Sequence, residues 1–202
     1  GGVPVVARPK GGGFEPAIAD IAEVTGSYTK AIILNSPNNP SGVVYSKDLI
    51  AQVVEFCEKK NLYLIMDDTY NRLIFDGRTP VNCYEYAKDL SESSKLVLIN
   101  CVSKMYAMTG FRIGWAVANK QVVRAMTNIQ SQETSGPATP SQWAAVGALN
   151  GIQASVEALR MTLENNRNVM VSRLEAIPGV KVTKPGGTFY CFPDFSAYNK
   201  DS

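Results

Sequence analysis

The chain has 202 residues, 45% of them hydrophobic and 19% charged, with a formal net charge of +2 and no histidine. That length fits one large domain or one and a half, compact enough to bury roughly 70% of the unfolded surface. It has no run of ~18 apolar residues to span a membrane, no opening basic-then-apolar leader, too little charge to advertise nucleic acid, and no histidine for a Ser-His-Asp triad or a His-ligated zinc.

Val3–Arg8 reads as a short strand, followed by the turn Gly11-Gly12-Gly13. Ile18–Val24 is short and amphipathic, a helix closed by Gly26. Lys30–Leu34 is an apolar, β-branched run and predicts a buried strand. It stops at Asn35-Ser36-Pro37-Asn38-Asn39-Pro40-Ser41-Gly42, a stretch of turn formers. Ser46 then caps a helix with Leu49, Ile50, Val53, Val54 and Cys57 on its apolar face. Leu62–Met66 is a second strand, Lys95–Cys101 a third and Ile113–Ala118 a fourth. Beyond these the pattern is helical. It predicts a helix over Gln121–Gln130, a polar loop over Ser131–Ser141 and a helix over Gln142–Asn150. A long helix from Gln153 to Ile177 follows, with Val156, Leu159, Leu163, Met170, Leu174 and Ile177 on one face. Val180–Thr183 and Thr188–Phe192 read as two strands around Pro185-Gly186-Gly187. The four cysteines, Cys57, Cys83, Cys101 and Cys191, form no C-x-x-C pair and sit among apolar neighbours, so they read as reduced and intracellular.

Strand, turn, helix, strand in repetition predicts an α/β fold with a mostly parallel sheet. Ligands of such sheets sit at the carboxyl ends of the strands. Polar residues gather there: Asn35–Asn39, Asp67–Tyr70 and Ser103-Lys104 each follow a strand.

Lys104, at the end of a buried strand among small and apolar residues, is a candidate nucleophile, because a neutral lysine amine forms Schiff bases. Arg112 lies between Gly110 and Gly114, where the backbone can approach a ligand and a guanidinium can grip phosphate in two places. Asp67 closes an apolar strand, where a carboxylate needs a partner; a protonated heterocyclic nitrogen is one, and Tyr70 could place its hydroxyl beside the same ring. Pro40 holds Asn39 extended, steadying an amide that could donate to a phenolic oxygen. Each has a plainer reading when taken alone: a surface loop lysine, a surface ion pair, a helix cap, an Asn-Pro turn.

Together the three strings Asn35–Gly42, Asp67-Asp68-Thr69-Tyr70 and Ser103-Lys104 with Arg112-Ile113-Gly114-Trp115 resemble, in order and spacing, the fold type I pyridoxal-phosphate enzymes. They are most similar to class I and II aminotransferases of the aspartate aminotransferase type. The likeness runs on through the long helix into Pro185-Gly186-Gly187-Thr188-Phe189-Tyr190. It implies that residues 1–152 belong to a large cofactor-binding domain, and that 153–202 form the connecting helix and the start of a small domain. It implies a pyridoxal 5'-phosphate cofactor on Lys104, which also moves the substrate α-proton. Asp67 would pair with the pyridine N–H, Tyr70 and Asn39 would donate to the phenolic oxygen, and Arg112 would bind phosphate. Many members carry a hydroxyl residue three before the lysine as a further phosphate contact. Here that position is Cys101, a weak donor, and Ser103 could partly replace it.

The resemblance also implies amino acid and 2-oxo acid substrates, a homodimer, a cytoplasmic setting, and no metal, nucleic acid or membrane. Family members are longer, with a further phosphate loop and a stacking aromatic before the position of Gly1, and a carboxylate-binding arginine after that of Ser202. The chain thus reads as a central slice, incomplete and inactive by itself. Other readings are a pyridoxal-phosphate β-lyase, another enzyme of the fold, and the aminotransferase-like effector domain of a transcription regulator.

Overall fold

The computed structural model describes residues 14–198. The expected strand Val3–Arg8 and turn Gly11–Gly13 lie outside them. Four strands, β1 (Ala31–Asn35), β2 (Tyr63–Asp67), β3 (Leu96–Cys101) and β4 (Gly114–Val117), form one sheet in that order. β1, β2 and β3 run parallel, and β4 returns antiparallel to β3. The carboxyl ends of three strands therefore meet at one edge, with Asn35 beside Asp67 and Cys101 opposite Gly114.

Helix α1 (Ile18–Glu23) is short, and α2 (Lys47–Lys60) makes the crossover from β1 to β2. The Ser46 hydroxyl accepts from the Leu49 N–H at the start of α2, and Asn61 ends it in the left-handed conformation at φ 56°. The apolar face of α2, Leu49, Ile50, Val53, Val54 and Cys57, is buried with Ile21 and with Ile32, Leu34, Leu64, Met66 and Leu96 from the sheet. Full burial of side chains of this size contributes about 1.5–3 kcal/mol each. The other face of the sheet is more open: Ile33 is 71% exposed, so β1 is buried on one face only, against the sequence reading.

The strand–helix–strand unit is not repeated. Between β2 and β3 the chain is irregular apart from one 3-10 turn, Cys83–Glu85. Gly77, Pro80 and three serines break any helical period there. Helix α3 (Lys120–Glu133) is capped by Asn119, and α4 (Thr139–Asn150) starts with Pro140 in its first turn. The loop expected over residues 131–141 is thus shorter, because α3 runs three residues into it and α4 takes up its end. Helix α5 (Ala154–Glu175) buries Val156, Arg167 and Val171, whereas Met170 and Ile177 are exposed. Its inward stripe passes through a charged residue that an apolar count skips.

The two strands expected in 180–192 do not form. Single bridges stand in their place, Ile74 with Gly187 and Lys181 with Asp194. The segment is nonetheless docked. The Gly42 carbonyl accepts from the Gly186 and Gly187 N–H groups at 2.8 and 3.1 Å. Phe75 N–H donates to the Gly186 carbonyl at 2.9 Å, and Thr188 N–H to the Leu73 carbonyl at 2.8 Å. A Cβ on Gly187 would sit 2.7 Å from the Leu73 carbonyl oxygen, so only glycine lets the two backbones meet. Behind the loop, Arg167 on α5 donates to both Asp76 carboxylate oxygens at 2.9 and 2.7 Å and to the Pro185 carbonyl at 2.6 Å.

Candidate functional site

β1 delivers Asn35 to the carboxyl edge, where its side chain donates to the Asp67 carbonyl at 3.2 Å and accepts from the Asn39 N–H at 2.7 Å. Asn38 shapes the turn: its side-chain oxygen accepts from the Ser41 N–H at 3.2 Å and the Ser41 hydroxyl at 2.7 Å. The Asn39–Pro40 bond is cis and Asn39 is exposed. The structure therefore ties Asn39 to the Asp67 strand end through its backbone and Asn35.

β2 delivers two carboxylates in different surroundings. Alternation puts Asp67 on the open face with Tyr63 and Ile65. It is half-buried and accepts from the Thr69 N–H at 3.2 Å. Asp68 turns inward and is buried, and among the described residues its carboxylate accepts only from the Asn71 amide, at 2.9 Å. Burial pushes its carboxyl up to about 7, the Asn71 bond opposes this, and the Asp67 charge adds to it.

Tyr70 is buried, and its hydroxyl lies 2.8 Å from that of Tyr190. Burial above all holds its phenol above the ordinary value, and the Asp67 charge adds to this. β3 delivers the lysine. Lys104 Nζ lies 6.0 Å from the Tyr70 ring centre and 5.8 Å from that of Phe189. The Thr109 hydroxyl donates to the Ser103 carbonyl at 3.1 Å, and Arg112 donates to the Thr109 carbonyl at 2.9 Å. Arg112 itself is left-handed at φ 55°. These bonds fold 103–112 around a hollow of about 260 Å³ lined by Cys101, Ser103, Lys104, Arg112, Ile113 and Gly114. Among the described residues no carboxylate lines it. Of the expected residues, Lys104, Arg112, Ser103 and Cys101 share a basic hollow and Tyr70 and Asp67 form a corner beside it, whereas Asn39 is exposed and its side chain joins neither. Phe189 and Tyr190 join that corner from 120 residues away; the sequence showed them in a motif without a role.

A lysine and an arginine thus share a hollow at the carboxyl edge of a mainly parallel sheet in an α/β fold, with a buried phenol and a carboxylate alongside. The family model for aminotransferase class I and II matches residues 10–202, and the chain belongs to that family, which depends on pyridoxal phosphate. An aspartate aminotransferase of Bacillus sp. (strain YM-2) is 36% identical over 197 residues, 97% of this chain and 50% of the relative. An asparagine–oxo-acid transaminase of Streptococcus mutans is 37% identical over 196 residues, 96% of this chain and 49% of the relative. Among solved structures, the Thermus thermophilus aspartate aminotransferase with maleate superposes at a TM-score of 0.88 and 33% identity, over 96% of this chain and 50% of that one. The chain spans about half the length of the curated relatives it matches.

Proposed function

We propose that the protein carrying this chain transfers amino groups between an amino acid and a 2-oxo acid with pyridoxal 5'-phosphate, and that this chain supplies the lysine side of the pocket. The observation that carries the reading is the shared hollow of Lys104, Ser103 and Arg112 beside the Tyr70 phenol. Its groups suit the cofactor: an amine, a guanidinium and a hydroxyl for the phosphate, and a half-buried carboxylate, Asp67, on the adjoining strand end. When bound, the cofactor supplies an electron sink for the pair left by the departing α-proton.

The chain's residues do the rest. Lys104 would hold the cofactor through its amine, and the same Nζ would take up and return the substrate α-proton. Asp67 holds a proton on the pyridine nitrogen. Tyr70 and Asn39 would donate to the cofactor's phenolic oxygen, Tyr70 through its hydroxyl and Asn39 through its side-chain amide. Arg112 and Ser103 hold the phosphate, with Cys101 a weaker donor where many members carry a hydroxyl. The names of the relatives favour aspartate or its amide as the amino donor.

Residues 1–152 are read as part of the large domain and 153–202 as the connecting helix and start of the small one. All four strands preceding α5 support that division. A homodimer would cover apolar residues left outside, among them Trp143 at 71% and Ile152 at 88% exposure. A cytoplasmic setting agrees with four free cysteines and with the absence, among the described residues, of a helix long and apolar enough to cross a membrane.

Borohydride reduction of the whole, cofactor-loaded protein followed by peptide mapping tests the reading. A pyridoxyl group on Lys104 is expected. The same group on another lysine, with Lys104 unmodified, overturns it.

A further inference from the structure

The function just proposed needs the Tyr70 proton to point into the site, yet among the described residues the one hydrogen bond of the Tyr70 hydroxyl goes to Tyr190, at 2.8 Å. A phenol has a single proton to give. If Tyr70 gave it to Tyr190, nothing would remain for an acceptor beside Lys104. If Tyr190 gives its proton instead, Tyr70 is free to donate, and its own donation is strengthened by the bond it accepts.

The placement of Tyr190 is well determined. Its N–H donates to the Thr188 hydroxyl at 3.1 Å. Its ring meets the Tyr70 ring edge-on at 5.8 Å and leans on Phe189 at 4.6 Å. The segment before it is held to Gly42, Leu73 and Phe75 by the four backbone bonds described above. The other charged or titratable groups around the Tyr70 phenol are Asp67, Cys101 and Lys104, and none of these has a hydrogen bond to its hydroxyl among the described residues.

We infer that Tyr190 is a positioning residue: its hydroxyl donates to Tyr70 and so aims the Tyr70 proton at the ligand held by Lys104. The inference rests on the proposed function, but its test separates the two.

The whole protein is loaded with pyridoxal phosphate, and the pH midpoint of the cofactor's absorbance change is measured for Tyr70→Phe, Tyr190→Phe and the double variant. Weaker donation to the phenolic oxygen leaves the Schiff base holding its proton to higher pH. Tyr190→Phe keeps the ring contacts and should raise the midpoint by about half to one pH unit, the scale of one hydrogen bond. Tyr70→Phe should raise it further, and the double variant should match Tyr70→Phe. In the cofactor-free protein, the Cζ resonance of Tyr70 should move on Tyr190→Phe.

A fall in the midpoint would mean that Tyr190 competes for the Tyr70 proton, and overturns the inference. So does a change in melting temperature with no change in midpoint, or a double variant that shifts by the sum of the singles. Borohydride mapping to a lysine other than Lys104 fails the site reading alone. The Tyr70 resonance, read without cofactor, fails the tyrosine pairing alone.

Discussion

Asp67 and Asp68 differ by one position and by a face of the sheet. Asp67 is half-buried at the open edge, and Asp68 is enclosed with Asn71 as its hydrogen-bond partner. Asp67→Ala in the whole protein is expected to lower turnover by ~10²-fold or more, as removal of a transition-state stabiliser does. Asp68→Asn should leave turnover close to that of the parent and change the pH dependence of stability instead. The Asp68 carboxyl is pushed up to about 7, above an unfolded value of about 3.9. The folded state therefore holds the extra proton between those values. Its stability is full below pH ~4, declines as pH rises through ~7, and is flat beyond. Asp68→Asn, which cannot ionise, should remove that decline and gain on the order of a few kcal/mol over the parent above pH 7. Urea denaturation at pH 4, 6 and 8 measures it; a constant difference across the three would count against a buried titrating carboxyl.

At the scale of elements, the periodic segments were legible in the sequence. β1, β2 and β3 fall within a residue of their predicted limits, and α2 starts at its predicted Ser46 cap with its predicted apolar face buried, because apolar runs and helical periodicity leave a local signature. The site strings were legible for the same local reason, since each sits in the turn after a strand. Thr188–Phe192 misled, because β-branched and aromatic residues advertise a strand but a ladder needs a partner in register, and the single bridge here falls on Gly187, just before the segment. What the segment does instead depends on Gly42, at φ +71°, where a Cβ would lie 2.6 Å from the Pro185 Cβ. Gly77 has a similar φ of +66° but nothing within 4 Å of a Cβ. Gly77→Ala should therefore cost only the left-handed penalty, ~1–2 kcal/mol. Gly42→Ala should add the overlap and cost ~3–5 kcal/mol in all, and should also loosen the contact of Tyr190 with Tyr70. Denaturant midpoints of the two variants compare them; equal losses would show that the loop yields without resistance.

Across the whole molecule, α5 is tied to the sheet region by ionic contacts rather than by a broad apolar seam. Arg167 is buried, forks onto Asp76, reaches the Pro185 carbonyl and lies 5.0 Å from the Phe75 ring centre. Its sequence neighbours gave no hint of this, because Asp76 is 91 residues away and a lone arginine on a helix reads as solvated. The guanidinium, ahead of Lys184, holds the Asp76 carboxyl below the usual carboxylate range. The stability from this contact is thus full above pH ~4 and is lost as pH falls through the lower folded value. The pair is not fully compensated, since the buried Arg167 Nε has no hydrogen-bond partner. Removing such a pair outright costs less than leaving one member stranded. Arg167→Ala leaves Asp76 with Lys184 at 3.5 Å and opens a cavity against Phe75, and should cost ~2–4 kcal/mol. Arg167→Met with Asp76→Asn keeps the volume and strands no charge, and should recover part of that loss and flatten the acid limb of the stability curve. Lysine at 167 restores the charge without the fork, so it should fall between the two at neutral pH. Thermal melts between pH 3 and 7 rank the variants. If Arg167→Ala melts with the parent at every pH, the docking of α5 and of the Tyr190 loop rests on the backbone bonds to Gly42 and Leu73 alone.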